Sequence, residues 1–126
     1  MPDSVPADLR AFVAEEIGSL VQLELLFLLA TDPARQWSVE EAAKALYVST
    51  EAAHAFLEAM RARGLFALAP EQGYRFAPEK PERVELIRRL DEFYKERRLT
   101  VINLIYAGPV EKYQSFANAF RFKRDK

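Results

Sequence analysis

At 126 residues, half of them hydrophobic and 29% charged, the chain is long enough for one domain with a real core and too apolar to be disordered. The absence of cysteine excludes a disulfide framework and a thiolate metal site. The longest apolar run, Leu25 to Ala30, falls far short of the roughly 20 residues a membrane span needs. The formal net charge of −1 is unevenly spread: residues 1–37 carry two Lys/Arg against six Asp/Glu, residues 38–79 four against six, and residues 80–126 twelve against seven, so attraction to nucleic acid would reside mainly in the last third.

The opening MPDSVPADLR has no basic stretch followed by an apolar one, so no secretory signal is expected and the protein reads as cytoplasmic. Pro6 suits a first helical turn, and Leu9, Phe12, Val13, Glu16 and Ile17 follow at helical spacing until Gly18. Ser19 is an N-cap for an apolar helix from Leu20 to Ala30, which Thr31-Asp32-Pro33 stops. Gln36-Trp37 is a short extended link. Ser38 and Glu41 form a capping box for a helix to about Leu46, and Tyr47-Val48-Ser49 is a turn. Ser49 caps the next helix, which runs to about Arg63, with Gly64 as the residue beyond its end.

Leu65 to Leu68 and Tyr74 to Phe76 alternate like two short strands. Ala69-Pro70-Glu71-Gln72-Gly73 is the loop between them, with Gly73 available for a positive φ. After Pro78 and Pro81 a long C-terminal helix is expected from Glu82, with Val84, Ile87, Leu90, Phe93 and Tyr94 as its stripe. Leu99 to Tyr106 could be a buried strand taken alone, but Gly108-Pro109 is a helix stop and favours helix. Pro109 then opens a short final helix with Val110, Tyr113, Phe116, Ala117 and Phe120 on its apolar face, before a basic tail.

Ser38 to Phe66, SVEEAAKALYVSTEAAHAFLEAMRARGLF, is the informative stretch. Ala43 stands where two helices cross, Leu46 and Val48 beneath the turn, Leu57 and Met60 on the buried side of the second helix, Arg63-Gly64-Leu65 at its exit, and Trp37 where a short strand joins a hairpin. These residues resemble the winged helix-turn-helix superfamily of transcription regulators, MarR-like or ArsR-like in the broad sense, over roughly residues 19–77. Tyr47 departs from the pattern, at a turn position where such folds often carry glycine. The resemblance implies a mainly α fold with a small β-hairpin wing, a winged helix-turn-helix domain over residues 1–78, and a C-terminal helical dimerisation segment over 79–126. It also implies DNA as partner, a homodimer, no membrane and no cofactor.

In that fold the helix from Ser49 enters the major groove and the wing lies on the backbone. Its exposed N-terminal positions are expected to be Thr50, Glu51, Ala53, His54 and Ala55. Ser49, Thr50, Glu51, His54 and, on the wing, Arg75 are the candidate DNA-binding residues. None of the helix residues is the Arg, Lys, Asn or Gln that usually makes paired contacts to base edges. Arg88, Arg89, Arg97 and Arg98 are candidate phosphate contacts, set against a solvated helix face paired with Glu85, Asp91, Glu92 and Glu96. The tail residues Arg121, Lys123, Arg124 and Lys126 could add to them or simply solubilise the end. The candidate dimerisation residues are Val84, Ile87, Leu90, Phe93, Tyr94, Val101, Leu104 and Ile105, more apolar surface than one small domain is expected to cover.

No catalytic or metal site is expected. His54 is the only histidine, and the paired acids Glu15-Glu16, Glu40-Glu41 and Asp91-Glu92 are helix neighbours that do not face each other. Phe93, Tyr94, Tyr106, Tyr113, Phe116 and Phe120 could line an effector pocket, although packing explains them as well. The sequence therefore leaves two readings open: a non-catalytic dimeric DNA-binding regulator, or a winged-helix module that binds another protein and no DNA.

Overall fold

The computed structural model describes residues 5–71 and 73–107. The expected final helix from Pro109 and the basic tail lie outside the described residues. Capping explains most of the element ends. Helix α1 spans Ala7–Glu16 with Pro6 at its N-cap. Helix α2 spans Leu20–Thr31, and the Ser19 side chain accepts from the Gln22 N–H. Helix α3 spans Val39–Leu46 with the Ser38–Glu41 capping box complete, and α4 spans Thr50–Ala62 with the Ser49 hydroxyl accepting from the Ala52 N–H. Gly64 follows α4 at φ 77°, as the end of a helix requires.

Strands β1 (Phe66–Leu68) and β2 (Tyr74–Phe76) pair antiparallel in the register Phe66↔Phe76, Ala67↔Arg75 and Leu68↔Tyr74. Trp37 adds a third short partner: its N–H donates to the Tyr74 carbonyl at 2.7 Å and its carbonyl accepts from the Tyr74 N–H at 2.8 Å. Gly73 is needed for close approach, since a Cβ there would sit 3.1 Å from the Gln36 Cβ and 3.5 Å from the Trp37 carbonyl oxygen.

Residues 82–107 are helical as expected, in two pieces. Helix α5 spans Glu82–Glu96, Arg97 leaves helical geometry at φ −133° and ψ 57°, and α6 spans Arg98–Ala107. The Arg97 N–H still closes α5 on the Phe93 carbonyl, and its own carbonyl receives the Val101 N–H of α6.

Helix α2 lies at the centre. Leu23, Leu25, Leu26 and Leu29 are fully buried, which a helix apolar on nearly every side demands. Helices α3, α4 and α5 and strand β2 all pack against it, while α1 packs on α5 and α6. Ile87, Leu90, Tyr94, Val101 and Ile105 are thereby taken into this chain's own core, and the Tyr94 ring lies 5.6 Å from that of Phe27. The premise that one chain cannot cover the C-terminal stripe is corrected by this: α1 and α2 cover most of it. Of the residues named for dimerisation, Val84 is exposed, and Phe93 and Leu104 are half-buried.

Candidate nucleic-acid interface

The phase of α4 follows from Leu57 and Met60, both fully buried. At 3.6 residues per turn Ala53 joins them, one turn before Leu57, and it is also fully buried. The expectation that Ala53 is exposed is therefore corrected. Ser49, Thr50, Glu51, His54 and Ala55 are all exposed, as expected. The small Ala42, Ala43 and Ala53 side chains let α3 and α4 approach closely, which holds the start of α4 outward.

The wing is fixed to α4 by a side-chain link that sequence reasoning missed. The Tyr74 hydroxyl donates to Oε2 of Glu58, whose other oxygen accepts from Nη2 of Arg61 at 2.7 Å. The Arg61 guanidinium, and then the tyrosine hydroxyl, hold the Glu58 carboxyl down at about 2. Burial, and then the carboxylate, push the Tyr74 hydroxyl up to about 12. Glu58 and Arg61 thus neutralise each other on α4. Arg75, alternating with the buried Tyr74 and Phe76, is exposed and has no carboxylate partner among the described residues.

The arginines of α5 are mostly engaged within the chain. Arg88 donates to Glu85 at 2.5 and 2.9 Å and to Glu92 at 2.5 Å, the surface pairing foreseen as the alternative to phosphate contact. Arg89 reaches Asp8 of α1 at 2.6 Å, and this hydrogen bond lowers the Asp8 carboxyl below its usual range. Arg98 lies over the Tyr94 ring at 5.2 Å and 3.9 Å from Glu24, and Arg97 is also engaged.

Behind α4 a second unforeseen junction ties the elements together. One Glu16 oxygen accepts from Arg63, just past the end of α4, and the other from Arg83 of α5, each at 3.2 Å. Arg63 also donates to the Glu15 carbonyl at 2.8 Å, and Arg83 lies over the Phe12 ring. Glu79 and Lys80 complete the rim of the shallow cleft here, where a Cβ on Gly64 would meet Glu79 at 2.7 Å. Nothing in local spacing signals this junction, because Glu16 stands 47 and 67 residues from its two partners.

Among the described residues no group of three or more His, Cys, Asp or Glu side chains is placed to hold a metal ion, and no helix is long and apolar enough to cross a membrane. No protein-family model and no curated protein matches the chain. Two solved structures do. A Mycobacterium tuberculosis MarR family protein, Rv2887, is 18% identical, with 91% of this chain and 84% of that one covered at a TM-score of 0.50. The chain has a winged helix-turn-helix fold. MepR, a transcription regulator of the Staphylococcus aureus multidrug efflux pump MepA, is 13% identical, with 94% and 90% covered at the same TM-score. At such identities the likeness is one of architecture. It covers more than nine-tenths of this chain.

Proposed function

We propose that this protein is a non-catalytic, homodimeric winged-helix regulator that reads duplex DNA with the N-terminal half of α4 and steadies itself through Arg75 of the wing. One observation carries the reading. The outward face of α4 presents Thr50, Glu51 and His54 to solvent, while the hairpin beside it is held in place from two directions, by the Trp37 backbone and by Glu58. Rigid presentation of a reading helix next to a wing is what major-groove docking requires. The likeness over nearly the whole chain to a MarR family protein and to a regulator of transcription supports the same role. A cytoplasmic location goes with it.

On this reading residues 1–78 carry the DNA-contacting part and 79–126 the dimerisation part, with Val84 and the half-buried Phe93 and Leu104 as the residues of the expected set that still have surface to offer a partner copy. Arg88 and Arg89 can serve phosphate only by leaving their carboxylates, which makes Arg75 the first phosphate contact to test. No cofactor takes part.

One observation favours the second reading, a module that binds protein. The exposed start of α4 carries no Lys or Arg, and the first arginine along it, Arg61, is bound to Glu58. Selection from a random-sequence duplex library separates the two. A regulator enriches a two-fold symmetric motif with half-sites about one helical turn apart. Failure to enrich any motif, at low salt and at physiological salt, would leave the protein-binding module.

A further inference from the structure

Tyr47 closes α3 in the left-handed region, at φ 58° and ψ 46°, and is the only non-glycine residue with positive φ among the described residues. The turn demands this conformation. The Tyr47 N–H bonds back to Ala43 and Lys44, and the Val48 N–H to the Ala43 carbonyl, the closure that ordinarily selects glycine. At the end of α4 the same chain does use glycine, Gly64 at φ 77°. A tyrosine in this region is strained by its Cβ. No packing of the side chain offsets that strain, because Tyr47 is 93% exposed. A strained backbone carrying an unsupported aromatic ring points to a contact outside the chain.

Its place in the fold says which contact. Tyr47 stands two residues before Ser49, the cap of α4, and one turn after Lys44, which is exposed and has no carboxylate partner among the described residues. When the start of a second helix meets base edges, the first helix of the motif crosses the DNA backbone, so the corner between them lies over sugar and phosphate. Tyrosine hydroxyls and lysines are among the groups that hold phosphate oxygens there. We propose that Tyr47 and Lys44 form a clamp on the DNA backbone at the helix-turn-helix corner, with the tyrosine hydroxyl donating to a phosphate oxygen and the lysine neutralising its charge. This rests on the duplex-binding reading above, and it supplies anchoring that the exposed start of α4 lacks.

The test uses the full chain, a labelled random-sequence DNA duplex over a series of salt concentrations, and thermal unfolding of each variant. Tyr47→Gly is expected to melt no lower than wild type, since glycine relieves the strain, yet to bind about tenfold more weakly, the size of one hydrogen bond to a charged group. Tyr47→Phe is expected to bind more weakly as well. Neither changes the slope of log affinity against log salt, because tyrosine carries no charge, whereas Lys44→Ala flattens it by about 0.9. Wild-type affinity in both Tyr47 variants would overturn the clamp. A lowered melting temperature for Tyr47→Gly would also overturn it, by showing that the ring supports the fold. A wild-type chain that binds no duplex at any salt would instead sink the regulator reading, and the clamp with it.

Discussion

The Tyr74 hydroxyl donates to the Glu58 carboxylate, a bond that ties wing strand β2 to helix α4. Glu58 is held at about 2 against an ordinary 4.5, so its charged form is favoured by folding. The contribution to stability is therefore full above about pH 4.5 and is lost as the pH falls towards 2. A pH series of thermal midpoints should show wild type above Glu58→Gln at neutral pH, with the gap closing below pH 4.5. Tyr74, held at about 12 against 10, works at the other end, favouring the fold below pH 10 and losing that contribution as the pH rises through 12. A gap between wild type and Glu58→Gln that stays constant down to pH 2 would mean that Glu58 makes no use of its charge.

Glu16 joins α1 to both Arg63 and Arg83 with 14% of its side chain exposed, whereas Glu85 pairs with Arg88 at 61% exposure. Shielded, doubly used carboxylates matter far more than surface pairs. Glu16→Ala is expected to cost about 1–3 kcal/mol in denaturant unfolding, from the lost charged hydrogen bonds to Arg63 and Arg83. Glu85→Ala should leave the midpoint nearly unchanged. Equal effects would contradict the assigned roles.

Leu57 lies on the buried face of α4 with no exposed surface. Truncation to alanine should lower stability by about 2–5 kcal/mol, the range for buried leucines. An unchanged denaturation midpoint would contradict the phase of this helix.

Sedimentation at micromolar concentration should give twice the 14.5 kDa chain mass, because two half-sites are reached by two-fold symmetry. Leu99 at 73% exposure, Tyr106 at 57% and Val84 at 49% are the large apolar side chains α5 and α6 leave open to solvent, and burying them in a partner copy would remove that exposure. A species of single-chain mass would count against the dimer.

Sequence selectivity and bulk affinity should separate by mutation. Replacing Thr50 and His54 together with alanine should erase preference among duplexes while most non-specific affinity persists. Arg75→Ala should weaken binding to every duplex alike and flatten the salt slope by about 0.9. If the two variants behave identically in competition binding, the division between base reading and backbone holding is wrong.

Much of the fold was legible because its punctuation is local. Ser19, Ser38 with Glu41, Ser49 and Gly64 each mark a helix end by their own chemistry, and Tyr74-Arg75-Phe76 alternates as a strand must. The break at Arg97 was not legible, since Glu96-Arg97-Arg98 holds no glycine, proline or capping side chain. The burial of Ala53 was readable from Leu57 four residues on, and was missed because alanine gives no hydrophobic contrast on a helix face. The destination of Ile87, Leu90, Val101 and Ile105 depended on which apolar face they meet, and periodicity shows only that they need one. The links from Glu16 and from Tyr74 are tertiary, so no spacing rule reaches them. Of the candidate interface, exposure of Ser49, Thr50, Glu51, His54 and Arg75 was predictable; the Glu58–Arg61 pair, three residues apart on one helix, was readable but missed, and the pairing of Arg89 with Asp8 was not readable.

The packing of α1 on α5 and α6 has a consequence for how the protein is made. α1 is ten residues long, too short to persist alone in water, and its main partners begin at Glu82 and end at Ala107. During synthesis it therefore leaves the ribosome long before anything exists to cover Leu9, Phe12 and Val13. The helix-turn-helix and its wing, whose contacts close earlier in the chain, can settle first, and the earliest-made helix docks among the last. A ribosome stalled before α5 is complete should hold a winged helix with an unprotected N-terminus, open to protease at residues that lie buried in the finished molecule.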